Sequence, residues 1–529
     1  MRIPTGPTAL HPEIDPSNEQ AVGADPSERG SRRSFVFFGA LAATAMLPRA
    51  SRGQAPSRKR RAIEGDPSDT SPAIVPRESV TAFAEWDNPV TRLVRRVTLG
   101  ITPAEVARAN QLGWQGYLNH QLNYTRIDDG AVESFVAQKY PLLSQTSDQL
   151  FSAAAGDVRN QLVESTIYRA AVSGRQLYQR MVEFWSDHFN QDLDKVGYLL
   201  IADQRDVIRA HALGKFPDLL KASAHSPSML AYLDQASSRN KAPNQNYARE
   251  IMELHTLGVD GGYTQTDVAE LSRVLTGWTI QGRGTFVFNP AIHDWGAKTV
   301  LGVTIPAGSP SLGQEGIKEG EQMLDVLAKH PSTARFIATK MLRWLLTPDP
   351  TETQISTIAS AYRATGGDIK AMIRAMLNDA WLPAAPMKLK RPFHYLASAL
   401  RSATPSVTAL APMNQQLTVL GHPIFNWDTP DGFPDKIEYW AGNIVPRWAF
   451  GTSLSNLNSA STLAVDTAPY RAGSPDAAID LIDQNFFGGE MPLVTRTGLL
   501  SYIKAGTFTD ARVRETIALA IGANAFQWY

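Results

Sequence analysis

The sequence predicts a mainly α-helical protein: a large multi-helix bundle with one small β-hairpin insertion. Three observations predict it. Apolar residues recur at helical spacing behind recognisable caps over most of the chain after Asn88. One stretch, at about 281–312, breaks that period with β-branched and aromatic runs. Hydrophobic residues make up 43% and charged residues 19% of the chain, a balance that suits a sizeable buried core. A chain of 529 residues has room for two or three average domains or one large one. No linker or repeat marks a boundary after residue 85, so residues 86–529 are expected to form a single helical domain.

Residues 1–55 read as a twin-arginine export region. Arg32-Arg33 precedes an apolar run of about twelve residues, Val36 to Leu47, too short to span a membrane, which takes roughly 20. Export to the periplasm or the extracellular space is therefore expected. Residues 56–85, rich in Arg, Lys, Ser, Pro and Asp, read as a disordered linker. From Asn88, Pro89 opens a first helix, and Thr102-Pro103 caps and opens a second. Further helices are expected at about 145–172 and 175–190, the latter with Leu177, Met181, Phe184, Trp185, His188 and Phe189 on one side. Short helices follow at 203–213, 216–224 and 226–233. In the insertion, TFVFNP and KTVLGVTIP flank Ala291–Gly296, and a strand pair is the natural reading. Helices resume at 315–329, 332–345 (Ser332 as cap), 353–364, 368–377, 391–403 and 510–526. Residues 404–450 read as a long ordered loop with short helices.

Composition narrows the chemistry. Lys+Arg and Asp+Glu are both 51, so charge gives no reason to expect nucleic acid or an anionic membrane as the main partner. The absence of cysteine excludes disulfides, thiolate-held zinc and cysteine-ligated iron–sulfur clusters. A divalent metal held by histidine and carboxylate stays open.

Reactive residue types are densest in Asn246–Trp278, NYAREIMELHTLGVDGGYTQTDVAELSRVLTGW. On a regular helix at about 100° per residue, with Glu250 as zero, Asn246 falls near about −40°, Glu253 about −60° and Arg249 about −100°. These four share a face, while His255 points into the apolar stripe. The plain alternative is a solvated surface with Arg249–Glu253 as an ordinary i,i+4 pair. Glu250 and His255 cannot share a metal from one regular helix, so any site must borrow residues, first His293-Asp294 and Asp187-His188. Five of the ten histidines lie between 188 and 293. His188, His211 and His255, with Asp187, are the candidate metal ligands; a hydrogen-bonded core role competes for each.

In order along the chain, RLVRRVTLG (92–100), FWSDHF (184–189), HALGKF (211–216), HSPSMLAYLD (225–234), the Asn246–Trp278 stretch, HDWGAK (293–298), HPSTARFIATKMLRW (330–344) and TGGDIKAMIRAML (365–377) resemble the bacterial family of unknown function DUF1800. His422 stands where that pattern has glutamine, and the segment Ser237–Ala242 is short. The resemblance implies an exported helical protein, found beside sulfatase-like partners. It also implies that Asn246, Arg249, Glu250, Glu253, His255, His293 and Asp294 belong to one site. It supplies no reaction.

Three functions are compatible with these residues. The first is an extracytoplasmic hydrolase or lyase on a carbohydrate polymer, with Glu250 or Glu253 as general acid or base, Arg249 and Asn246 orienting, and Asp294 or Asp187 as second acid. The second is a non-enzymatic binding or scaffold protein of the cell envelope, partnered by a polysaccharide or a neighbouring exported protein. The third is a metal-dependent oxidase or hydroxylase.

Overall fold

Local capping chemistry sets many of the helices. The Asn88 side chain accepts from the Val90 and Thr91 amides and starts Pro89–Val97, and Thr102 caps Pro103–Leu122. Thr264 and Asp267 exchange hydrogen bonds as a capping box for Gln265–Val274. The computed structural model describes residues 86–529. The expected twin-arginine segment and linker lie outside the described residues. Within them the chain forms twenty-five α-helices and three small two-stranded antiparallel sheets, the mainly helical fold that the periodicity predicts. No helix among the described residues is long and apolar enough to cross a membrane.

The helices enclose two apolar cores. The larger draws on residues between Leu93 and Ala385; the second joins Leu99 and the Ala155–Val172 helix to the chain from Phe393 onward. The Gln176–His188 helix sends Leu177, Met181, Phe184, Trp185 and His188 into the larger core.

Several expectations need correcting. The β region begins at Trp278, not 281, and the two expected strands do not pair with each other. Instead β1 (Trp278–Gln281) pairs with β2 (Thr285–Phe288), and β3 (Lys298–Val300) pairs with β4 (Val303–Ile305). The second hairpin turns on Leu301-Gly302, both at positive φ (49° and 76°), the geometry of a tight two-residue turn whose twist matches its strands. A third pair joins β5 (Ser406–Val407), in the segment read as loop, to β6 (Leu463–Ala464), which lies beyond it. The Pro331–Leu345 helix is capped by His330, not Ser332. Pro331 already occupies the first helical position, so the cap must precede it.

Three segments are also less regular than a 3.6-residue period assumes. Gln204–Arg209, Ile251–Thr256 and Asp483–Phe487 are π-helical turns, in which residues five apart, not four, come into line.

Candidate functional site

A cavity of about 450 Å³ lies where the two cores meet, with Leu99, Phe393 and Ile424 of the smaller core and Tyr178, Val182 and Ile201 of the larger in its wall. One wall is the Gln176–His188 helix. Gln179, Glu183 and Asp187 follow one another at four-residue spacing along that wall, each about one helical turn from the next. Opposite them, the π turn brings Gln204 and Arg209 to the same cavity. Ser186 donates to Gln204 at 2.9 Å and ties the two segments together.

The chain from His422 to Phe433 closes one end. Asn190 donates to the Trp427 and Thr429 carbonyls, both at 2.8 Å, and pins this segment over the end of the helix. Gly432 has φ 75°, and a Cβ there would stand 2.2 Å from the Asp187 carbonyl oxygen, so only glycine allows so close an approach.

The charges at this end are concentrated and incompletely paired. Arg391 contacts Asp187 at 2.6 Å and stacks over Trp344 at 5.1 Å. Arg180 donates to the Tyr529 hydroxyl at 3.1 Å and lies 3.0 Å from His394 Nδ1. Glu183 has both carboxylate oxygens shielded from solvent and no hydrogen-bond partner for either among the described residues. Burial pushes Glu183 up to about 7, against the pull of Arg391 and Arg180. Burial also raises Asp187, with Arg391 opposing. His422 is kept neutral: burial, then the Arg391 and Arg447 charges, lower it well below the usual range. Its Nδ1 faces the Phe393 amide at 3.2 Å and its Nε2 faces Arg391 at 3.1 Å, and a neutral imidazole can accept from only one of them.

The residues expected from the sequence divide into three groups. Asn246, Arg249, Glu250 and Glu253 lie on the outer side of the Gln245–Glu250 helix and the π turn after it. Asn246 is exposed, and Arg249 is held by Glu253 at 3.3 Å and Gln265 at 2.7 Å. Glu250 is half-buried; burial and the neighbouring Glu253 push it up to about 7, with Arg249 opposing. His293 and Asp294 do not join them. His293 is buried, bonded to the Thr276 carbonyl at 2.7 Å and 3.2 Å from Glu319, while Asp294 takes a fork from Arg273 at 2.8 and 3.1 Å. Burial would raise Asp294, but the bonds from Arg273 and the Gly296 amide hold it below the carboxylate range. Both residues fasten the β insertion to its neighbours.

The third group is Asp187, His188 and His255. His188 Nε2 lies 3.1 Å from the His255 carbonyl oxygen, and the two rings are 6.1 Å apart. His255 is 1% exposed; burial and then the Lys340 charge lower it to about 3. His211, at the end of a different helix, is not grouped with them. Among the described residues, no three His, Asp or Glu side chains are arranged to hold a metal ion, so His188, His211, His255 and Asp187 do not form a ligand set. Asp187 turns to Arg391 and the cavity, while His188, the next residue, turns into the larger core.

Glu183 is not among the candidates that the sequence points to. A signal is present all the same: Glu183 and Asp187 are two acids at i,i+4 inside the apolar run MVEFWSDHF, where a solvated face is hard to accommodate.

These features define a mainly helical protein with a polar, charge-bearing cavity between two cores. The chain belongs to the family described as Protein of unknown function (DUF1800), whose model matches residues 92–528. No curated protein and no solved structure matches it.

Proposed function

We propose that this chain is an extracytoplasmic enzyme, a hydrolase or lyase, that moves a proton on a small polar molecule held in the cavity between the two cores. The observation that carries the reading is Glu183, a cavity-wall carboxyl with no hydrogen-bond partner among the described residues and an affinity for protons raised by burial to about 7. A group that is populated both with and without its proton at working pH meets the requirement for general acid–base catalysis. Asp187, fixed on Arg391, supplies a neighbouring negative charge, and the Arg391 and Arg180 guanidiniums offer compensation for charge that develops nearby. The cavity volume, about 450 Å³, falls among sites that take one small ligand. The substrate is therefore a small molecule or a single terminal unit rather than the length of a polymer. Action outside the cytoplasm rests on the Arg32-Arg33 pattern alone.

The test compares wild type with Glu183→Gln on a panel of sugar acids, hydroxy acids and their glycosides and esters at pH 7, following products by proton NMR. Turnover by wild type with a loss of about 100-fold or more in the variant supports the reading. Undiminished turnover in Glu183→Gln overturns it.

One observation favours a second reading, a binding protein of the cell envelope. Between Ile437 and Trp448, five large apolar side chains are exposed: Ile437, Tyr439, Ile444, Val445 and Trp448, at 44–69%. If the chain serves chiefly as a binding partner, Val445→Ser with Trp448→Ser releases a co-purifying envelope protein and Glu183→Gln does not.

A further inference from the structure

The cavity has a second end, two helical turns or more from Asp187, which the proton-transfer reading does not use. Three arginines, Arg169, Arg175 and Arg209, line it together with Glu133 and Gln179. Their pairing is uneven. Arg169 grips Glu133 with two bonds, at 3.1 and 2.7 Å. Arg175 donates to the Ile127 carbonyl at 3.0 Å and stands 3.9 Å from Asp129, which lies behind the wall and is already bonded by Ser173 and Gly174. Among the described residues, no carboxylate stands within ion-pair distance of Arg209. Both of its terminal nitrogens donate, at 3.2 Å, to one neutral acceptor, the Gln179 side-chain oxygen, and its plane covers the Tyr178 ring at 5.3 Å.

Three cations thus face two anions, Glu133 and Asp129, leaving an excess of one positive charge at this end. The fourth lining arginine, Arg205, is neutralised by Asp206 at 2.7 Å and does not alter the count. A half-buried guanidinium held only by a neutral amide is left short of counter-charge, which an anion in the cavity would supply. Burial lowers Arg209 to about 10, the Arg169 charge adding to the effect. Structural need does not account for Arg209 in the way it accounts for Arg169: the Tyr178 hydroxyl is satisfied by the Arg209 backbone carbonyl at 2.6 Å, not by the side chain.

We propose that the Arg209 end of the cavity is an oxyanion subsite, so that the molecule acted on is a small organic acid whose carboxylate or equivalent group is forked by Arg209 while its reacting centre lies beside Glu183. The assignment rests on the cavity being the ligand site proposed above. Gln179 precedes Glu183 by one helical turn, about 6 Å of rise, which sets the distance between the anionic group and the reacting centre. The π turn is what makes the subsite. Its wider turn places Gln204 and Arg209, five residues apart, on one face, whereas a regular helix would separate them by about 140°.

The test uses inorganic sulfate as the probe, titrated calorimetrically into the full chain at pH 7, with sodium chloride at matched ionic strength as control. Wild type is expected to bind sulfate saturably at one site. Arg209→Gln should bind at least about tenfold more weakly, the scale of one charge-assisted hydrogen bond. Arg209→Lys keeps the charge but loses the fork, and should weaken binding by a smaller factor; it decides the outcome if Arg209→Gln is unfolded by far-UV circular dichroism. Glu183→Gln should bind sulfate as well as wild type or more tightly, because one negative charge has left the cavity. No saturable binding above the chloride control, or binding by both Arg209 variants equal to wild type, overturns the subsite. The two proposals fail separately. A dead Glu183→Gln enzyme with sulfate binding insensitive to Arg209 removes the subsite and keeps the proton-transfer reading. Arg209-dependent sulfate binding with an active Glu183→Gln enzyme does the reverse.

Discussion

Two glutamates in this fold are pushed up to about 7, and their surroundings could hardly differ more. Glu250 sits half-buried on an outer helix, one turn from Glu253 and next to Arg249, in the part of the sequence richest in reactive residues. Glu183 comes from an apolar run with a single obvious acid partner, yet it lines the cavity, facing two arginines that donate it no hydrogen bond. The difference is one of compensation. Around Glu250 the polar groups satisfy one another or meet solvent; around Glu183 they do not, and the imbalance is what a ligand or a proton can resolve.

The comparison can be broken most forcefully at Arg391. Removing it leaves Asp187 buried and unpaired beside Glu183, so Arg391→Ala is expected to cost about 3–5 kcal/mol in urea denaturation at pH 7. Glu183→Gln comes next and acts in the opposite direction. The folded state keeps the Glu183 proton up to about pH 7, whereas the unfolded chain releases it near 4.5, so stability falls as pH rises between those values. The glutamine variant escapes that loss. It is expected to be more stable than wild type by up to about 3 kcal/mol at pH 8 and no different at pH 4, a gain in stability at the expense of the proposed activity. Glu250→Gln has the same sign, but Glu250 is close to half exposed, and solvent screening leaves about 1 kcal/mol at pH 8. Arg249→Ala, which removes an exposed i,i+4 partner of Glu253, should change stability by about 0.5 kcal/mol or less. If the two glutamine variants gave equal pH profiles, the distinction between the two regions would collapse.

The helices are legible in the sequence because their determinants are local. Asn88 with Pro89, Thr102 with Pro103 and the Thr264–Asp267 box each act within three residues, and the stripe from Leu177 to Phe189 needs only its own period. Strand pairing is less legible: TFVF and KTV have the right composition, but which partner each takes depends on the turns at 282–284 and 301–302. The candidate site is the least legible part. Asp187 stands out by its neighbours, but Glu183 acquires its character from Arg391 and Arg180 and from burial between two cores, none of which follows from spacing. Two of the three π turns defeat the helical wheel outright. One brings Arg209 to the cavity, and the other shifts the register after Glu250 that relates it to His255. His293 and Asp294 have the composition of a site, but Glu319 and Arg273 absorb them.

The most direct measurement is a carbon-13 NMR titration of the glutamate side-chain carboxyls in wild type, with Glu183→Gln providing the assignment. A carboxyl resonance that titrates near pH 7 in wild type and is missing from the variant is the predicted result. A Glu183 resonance that titrates below pH 5, as an ordinary solvated or fully ion-paired carboxylate does, would contradict a proton-transfer role for this residue.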